Sequence, residues 1–429
     1  MFRFLHAESK TIIGAAAIVG TLSFVSRFVG FIRDRILAGT FGAGDTLDVY
    51  YSAFKVPDLM FSLIVVGAIS SSFIPIFSEM YFGSKKENAW KFTNTVLHLV
   101  GAVMVVISIL LFIFSDPISA LIAPGFHSAK QEAVGEFMRV MLFAQILLSF
   151  SMVFGSVLQS FKQFFLYSLA PIFYNVGIIF GALFLTDIFG PIGLAWGVVF
   201  GAFLHVASQW LECRRSGYRY EFIIKRKTTE ISEMIRMTGP RMLGIVVNQL
   251  LFFVLTIIAT TFAAGSVTIF QFAYNIQFFP VGIIGVSFAI AAFPLFSEQA
   301  QQNDLNSFRA SFSSTIRQTL FFLIPCMLLF LILRSQIVRV VVGAGSFDWT
   351  ATILTADTLA FFALTFIPQA FVFILARAFF ALHDSVTPLI AGLVGALVGI
   401  ISAFLFRESF GVVGLGIAYS LSAIVNAVL

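Results

Sequence analysis

Hydrophobic residues run along this chain in long blocks separated by short polar breaks. The blocks predict about twelve membrane-spanning helices, at roughly 11–32, 47–77, 93–115, 137–160, 163–186, 190–211, 240–262, 267–296, 312–333, 352–377, 386–406 and 411–429. A bilayer core ~30 Å thick takes ~20 apolar residues at a helical rise of 1.5 Å, which blocks of this length supply. Backbone amides facing lipid must bond within their own segment, so the blocks are helices, and the alternation of a β-barrel strand is absent. Inside the blocks the polar positions recur at helical spacing. In the first, Ala16, Gly20, Ser23, Arg27, Gly30 and Asp34 return to one face at steps of three and four, while Phe24, Phe28, Phe31 and Ile32 cover the rest. In the second, Asp48, Ser52, Lys55 and Ser62 share a face, and Pro57 interrupts the helix beside the lysine.

The stretch 26–55 therefore sets Arg27, Arg33, Asp34, Arg35, Asp48 and Lys55 in or beside two hydrophobic runs. A charge at bilayer depth costs roughly 2.5–3.5 kcal/mol, so such side chains face a cavity, a partner or a substrate path. With cations outnumbering carboxylates, the expected ligand is anionic, and Arg27, Arg33, Asp34, Lys55 and Asp48 are the candidate substrate-binding residues. The plainer reading is also open: Arg33, Asp34 and Arg35 mark the membrane interface and Arg27 snorkels towards it.

Composition removes other classes. With 59% hydrophobic residues, 11% charged residues and 55 phenylalanines among 429 residues, the chain is no soluble globule. The net charge of +5 is carried on alternate breaks. With the N-terminus inside, inner segments hold Arg3 and Lys10; Lys85, Lys86 and Lys91; Lys162; the basic run from Arg214 to Arg241; and Arg309, Arg317 and Arg377. Outer segments hold only Arg33, Arg35, Lys130, Arg139, Arg334, Arg339 and Arg407. This bias places the N-terminus in the cytoplasm and explains the basic balance without nucleic acid. Residues 1–10 do not read as a secretory signal, since the hydrophobic run after them is too long and no small-residue cleavage site follows. Cys213 and Cys326 have no metal-ligand spacing, and neither a disulfide, a metal nor a cofactor is expected.

The chain reads as two halves: an N-terminal six-helix lobe over 1–211, a basic cytoplasmic linker over 212–239, and a C-terminal six-helix lobe over 240–429. The linker is expected to carry an amphipathic surface helix with Ile231, Met234, Ile235 and Thr238 on one side. FGAGDTLDVYYSAFKVP (41–57) aligns with FAAGSVTIFQFAYNIQFFP (262–280) when two residues are inserted, and FIPIFSEMY (73–81) aligns with FPLFSEQAQ (293–301). Each half has an even number of spans, so the copies share one membrane orientation, as in parallel transporter repeats, and two facing bundles leave a central cavity. The copies differ in charge. Arg27 aligns with Asn248, Arg33 with Val254, Asp34 with Leu255 and Lys55 with Asn275. A structural role would apply to both copies, so the asymmetry favours a ligand for the first-half charges.

SRFVGFIRDRILAGTFGAGDTLDVYYSAFKVPDL (26–59) resembles the opening of the MurJ (MviN) lipid II flippases, a branch of the multidrug/oligosaccharidyl-lipid/polysaccharide (MOP) exporter superfamily. FIPIFSE (73–79), APGF (123–126), APIFYNVGII (170–179), GPRMLGIVVNQ (239–249) and RAFFALHDSVTP (377–388) follow in the family's order. The resemblance implies a V-shaped, MATE-like helical transporter in the bacterial inner membrane. It would move the undecaprenyl-pyrophosphate-linked peptidoglycan precursor, lipid II, by alternating access for cell wall synthesis. Membrane lipids, cell wall synthesis proteins and a monomeric state come with that expectation. Arg27, Arg33 and Asp34 match charged cavity residues of the family, and guanidinium forks suit pyrophosphate oxygens. The chain departs from the pattern after Pro57, where Phe61 and Ser62 stand at basic positions and Val66 at an acidic one. Asn275 and Phe278 likewise stand at a basic and an acidic position. The family commonly carries two further C-terminal helices, so the end at Leu429 predicts a fragment or a reduced homologue.

Other readings stay open beside this one: an exporter of another lipid-linked oligosaccharide, an ion-coupled antiporter of the same fold, or a non-transporting scaffold. A membrane enzyme is disfavoured because no nucleophile–base pair or metal spacing is present. Asp357, within the tenth block, is a candidate for ion or proton coupling. Asp116, Asp187 and Asp348 read as interfacial, His98 and His205 as satisfied structural groups, and Gly392, Gly395 and Gly399 as helix-packing positions.

Overall fold

The computed structural model describes residues 12–66, 69, 73–83, 86–223, 230–232, 234 and 249–429. Every regular element among the described residues is helical. The chain divides into two compact units, one of residues 1–40 with 49–246 and one of residues 41–48 with 247–429. Six helical runs among the described residues are long and apolar enough to cross a membrane, and a seventh is a pair bent by 42°.

In the first unit, α1 (Ile12–Phe41) leads into α2 (Asp45–Phe61), a π turn at Ser62–Val66, and α3 (Phe73–Phe82). α4 (Lys86–Ile113) is followed after one residue by the short α5 (Ser115–Ile122) and then α6 (Ser128–Ser160). Phe92, Val96, Val100 and Met104 are buried at steps of four along α4, one stripe of its surface. They pack with Phe73 and Phe77 of α3 and with Leu142, Val153 and Val157 of α6, and the Phe73 and Phe92 rings stack at 5.3 Å. α7 (Phe164–Phe180), a π turn at Gly181–Leu185 and α8 (Gly193–Arg215) then fold back on each other. A Cβ on Gly177 would lie 2.2 Å from the Gly201 Cα, and one on Gly181 would lie 2.4 Å from the Gly197 Cα. Only hydrogen fits there, so the close antiparallel approach depends on the glycine spacing.

Of the expected linker, Tyr218 turns back into the first unit and donates to the Asn94 Oδ1 at 2.7 Å, and burial pushes its phenol up. The described linker residues Ile231 and Met234 are buried in the apolar core of this unit. Ile235, Thr238, the rest of the proposed surface helix, and Asn248 lie outside the described residues.

The second unit repeats the order. α9 (Gln249–Ala259) precedes α10 (Ser266–Pro280), a π turn at Val281–Gly285, and α11 (Val286–Gln301). α12 (Leu305–Ile332) is followed after one residue by the short α13 (Arg334–Val341), and then come α14 (Trp349–Leu364) and α15 (Phe366–Ala381). In both units a proline, Pro57 or Pro280, stands ahead of the widened turn and removes one donor from the i→i−4 ladder. α16 (Val386–Phe410) packs on α17 (Val412–Val428), with Gly395 against Asn426 and Gly399 against Ser422.

Candidate functional site

α1 carries three consecutive charged residues, Arg33, Asp34 and Arg35, about two turns before its end in a largely apolar helix. Adjacent residues on a helix do not face each other, yet the Arg33 guanidinium curls back onto the Asp34 carboxylate. Its Nε donates to Oδ1 at 3.0 Å and its Nη2 to the same oxygen at 2.7 Å. The remaining arm, Nη1, donates to the Asn175 Oδ1 of α7 at 2.9 Å. Asn175 is itself held, its Nδ2 donating to the Pro171 carbonyl at 3.0 Å. The Asp34 side chain is 3% exposed and that of Arg33 22%, so the carboxylate is sealed in and the guanidinium keeps one open side.

Tyr50 and Tyr51 of α2 and Tyr174 of α7 lie within electrostatic reach of this pair. The Tyr50 ring meets the rings of Tyr51 and Phe54 edge-on at 5.1 and 5.2 Å. One turn further along α2, Lys55 is half-buried, and Asp58, one turn beyond it, is exposed; the two charges act on each other. Arg27 is half-buried, two turns ahead of Asp34 on α1. The first unit thus gathers a cation with an oriented fork, a buried counter-charge, an amide, phenols and a second cation. Such a set of groups has the chemistry to receive an oxyanion. Among the described residues no cluster of His, Cys, Asp and Glu could hold a metal ion.

Two of the residues singled out in the sequence are occupied differently. Asp48, 1% exposed, receives the backbone N–H groups of Gly265 at 2.7 Å and Thr268 at 3.0 Å and the Thr268 hydroxyl at 2.8 Å. It serves the N-terminus of α10, whose first amides have no partner in their own helix. Asp357 pairs with Arg334 at 3.5 Å, and both are more than two-fifths exposed. Asp116 takes Arg139 at 2.6 Å, and Asp348 accepts from the Ala351 amide at the start of α14. His98 bonds the Ile223 carbonyl and the Tyr220 hydroxyl, and His205 bonds the Ser151 hydroxyl. In the turn before α16, the Thr387 hydroxyl and amide hold the Asp384 carboxyl below the usual carboxylate range. Sequence reasoning did not single out Asn175, Tyr50, Tyr51, Tyr174 or Asp58. The one available signal for Asn175 was an amide in an apolar run, which needs a partner when buried.

A family model described as Lipid II flippase MurJ matches residues 37–429, a range that includes Lys55 and begins just past Arg33 and Asp34. The curated "Probable lipid II flippase MurJ" of Rickettsia prowazekii (strain Madrid E) is 28% identical over 422 residues, covering 97% of this chain and 82% of that protein. A solved lipid II flippase MurJ in an inward closed conformation superposes with a TM-score of 0.83 at 25% identity, over 96% of this chain and 86% of the other. An inward-facing multidrug resistance MATE family transporter of the MOP superfamily gives a TM-score of 0.78 at 16% identity, over 96% of both chains, a likeness of fold alone.

Proposed function

Because the chain belongs to the MurJ lipid II flippase family, we propose that Arg33, poised by Asp34 and Asn175, is the group that grips the pyrophosphate of lipid II during its passage across the membrane. The protein is a polytopic membrane transporter of a bacterial inner-membrane family, not an enzyme. One observation carries the residue assignment: the Arg33 fork divides between a charged and a neutral acceptor. The bond to Asn175 is charged on the donor side alone, whereas a phosphate oxygen brings charge on both sides, so an arriving phosphate oxygen displaces the Asn175 amide first. Asp34 keeps the guanidinium oriented meanwhile. Asn175 is a placeholder for the substrate, and its own bond to Pro171 keeps it from following.

Arg27 and Lys55 add positive charge along the same path, with Lys55 as a point charge and Arg27 as a second fork. Asp48 joins this reading as an anchor of α10 and Asp357 as the partner of Arg334. The proposed topology keeps the N-terminus in the cytoplasm, with lobes over 1–211 and 240–429 joined by the basic segment 212–239, and an alternating-access cycle. The chain works as a monomer with membrane lipids around it and cell wall synthesis proteins as neighbours.

The test is complementation of a bacterium depleted of its lipid II flippase, with membrane levels read by immunoblot. The parent chain is expected to rescue growth, and Arg33→Lys, which keeps charge and loses the fork, to fail at equal abundance. Rescue by Arg33→Lys at parental level would remove the fork from the mechanism. A well-expressed parent that fails would remove lipid II as substrate.

A further inference from the structure

In the first unit, the turn from α6 to α7 is closed by its own backbone. The amides of Phe161, Lys162 and Gln163 donate to the carbonyls of Val157, Gln159 and Leu158 at 3.1, 2.9 and 2.9 Å. To close it, Lys162 takes φ +58°, a left-handed backbone that glycine and asparagine adopt far more readily. The charge bias of the loops does not explain this placement, because an exposed cation serves that bias on any backbone. The lysine stands there for its side chain.

Beside the turn lies a cavity of ≈ 280 Å³. Tyr81 and Phe82, at the end of α3, and Phe161 form its apolar wall, the Phe161 ring meeting that of Tyr81 at 4.7 Å and that of Phe82 at 6.4 Å. Lys162, Ser160, Gln163 and Ser216, the residue after α8, supply its polar groups, and no carboxylate lines it. Both hydroxyl hydrogens are already given: Ser160 donates to the Ser156 carbonyl at 2.9 Å and Ser216 to the Gln163 Oε1 at 3.3 Å. The Lys162 ammonium and the Gln163 Nε2 have no partner among the described residues. The cavity therefore offers a cation and an amide donor beside aromatic rings, and a second cation stands close by, the Lys86 ammonium 4.7 Å over the Tyr81 ring. That inventory suits an anion.

The position narrows the anion to a lipid. α6 and the run from α7 through α8 are long and apolar enough to cross a membrane, and the cavity sits where they begin and end, at Ser160, Phe164 and Arg215. Span ends stand at the depth of lipid headgroups, where aromatic rings are also at home. Phe82, 66% exposed, puts apolar surface next to the cation, which a lipid would use and a free phosphate would not. A zwitterionic headgroup would bring an ammonium that finds no carboxylate in the cavity.

We propose that this cavity binds the phosphate of an anionic phospholipid headgroup, with Lys162 as its charged contact and Gln163 as its neutral one. The site is separate from the Arg33 pair and stands or falls without it.

The test is native mass spectrometry of the full chain in detergent, titrated with phosphatidylglycerol and with phosphatidylcholine. Lys162→Asn suits the left-handed turn and removes the charge; it is expected to weaken phosphatidylglycerol binding about tenfold and to change phosphatidylcholine binding less than about twofold. Arg309→Asn, which removes an exposed cation from the second unit, is expected to change neither. Phosphatidylglycerol binding that is the same in Lys162→Asn and the parent overturns the site, and equal weakening by Lys162→Asn and Arg309→Asn reduces it to general surface charge. Glycerol 3-phosphate in large excess is expected to leave the lipid bound; displacement would make the ligand a free phosphate and overturn the lipid assignment. Without added lipid, Lys162→Asn is expected to melt no lower than the parent, and a clear drop would make the lysine a structural residue instead.

Discussion

α2 and α10 start from the same Phe-x-Ala-Gly motif, pass a proline and widen into a π turn, yet α2 carries Lys55 and Asp58 and α10 carries no charged residue. The helices before them differ in the same sense. Arg33 and Asp34 form a part-buried ion pair two turns before the end of α1, while the aligned Val254 and Leu255 lie in α9, with Leu255 fully buried as an ordinary apolar contact. Replacing a buried ion pair by well-packed apolar residues is often neutral or stabilising. The second unit demonstrates that the scaffold tolerates that replacement. Stability alone then does not require the first unit's pair, which supports the proposal of a ligand for the guanidinium.

The strongest way to break this comparison is to write the second copy into the first. Arg33→Ala alone takes the guanidinium away from a buried carboxylate, which costs about 3–5 kcal/mol and lowers abundance. Arg33→Val with Asp34→Leu copies Val254 and Leu255 and removes both charges together. The double variant is expected to recover thermal stability in detergent to near the parental level and to transport no lipid II. A double variant that still transports would make the pair a structural element, and the contrast between the units would lose its functional meaning.

A middle-sized effect is expected at the motif glycines. Gly265 has φ +90°, and a Cβ there would lie 2.4 Å from the Ala43 carbonyl oxygen; Gly44, its aligned partner, meets nothing nearer than 3.8 Å. Left-handed backbone costs a non-glycine residue roughly 1–2 kcal/mol before the overlap is added. Gly265→Ala should thus lower the melting temperature clearly, and Gly44→Ala should leave it nearly unchanged. Asp48→Ala, which strips the partner from the Gly265 and Thr268 amides, should cost about 1–2 kcal/mol, and Asp48→Asn less, since its amide oxygen still accepts. Equal melting curves for the two glycine variants would mean that the motif copies are not held differently.

Much of this was legible in the sequence, for reasons the residues make plain. The helical blocks follow from hydrophobic runs, and the repeat from two motifs 221 positions apart, as Gly44 and Gly265 show. Arg33 and Asp34 stood out because a charge in an apolar run is costly. The π turns at 62–66, 181–185 and 281–285 were not legible, since a proline signals a disturbed ladder without saying how it is closed. Asn175 sits 142 residues from Arg33, and nothing local in the sequence joins them. Asp48 read as a ligand residue because a carboxylate in a hydrophobic run needs positive partners, and three donors at the head of α10 satisfy it as well as a substrate would. Asp357 stood out as a coupling candidate for the same reason, and its partner, Arg334, lies at the start of a helix that the pattern gave no reason to fold against it.

The smallest effect on stability, and the sharpest on the comparison, is expected from Lys55. It is half-buried and its neighbour Asp58 is exposed, so Lys55→Asn leaves a carboxylate that water can solvate, and stability should move by no more than ~0.5 kcal/mol. Transport should still fall, because a cation of the proposed substrate path is gone. Adding Asn275→Lys to that variant restores the number of charges and moves one of them to the second unit. If only the total positive charge on the path mattered, the exchange would return transport. The proposed role of Lys55 requires that it does not, because an ammonium at position 275 would stand beside the Gln271 amide and the Tyr274 ring and has Phe278, not a carboxylate, one turn on. Transport that recovers in the exchanged protein would take the position of Lys55 out of the mechanism, and transport that stays low at parental abundance would support a pyrophosphate held in the first unit.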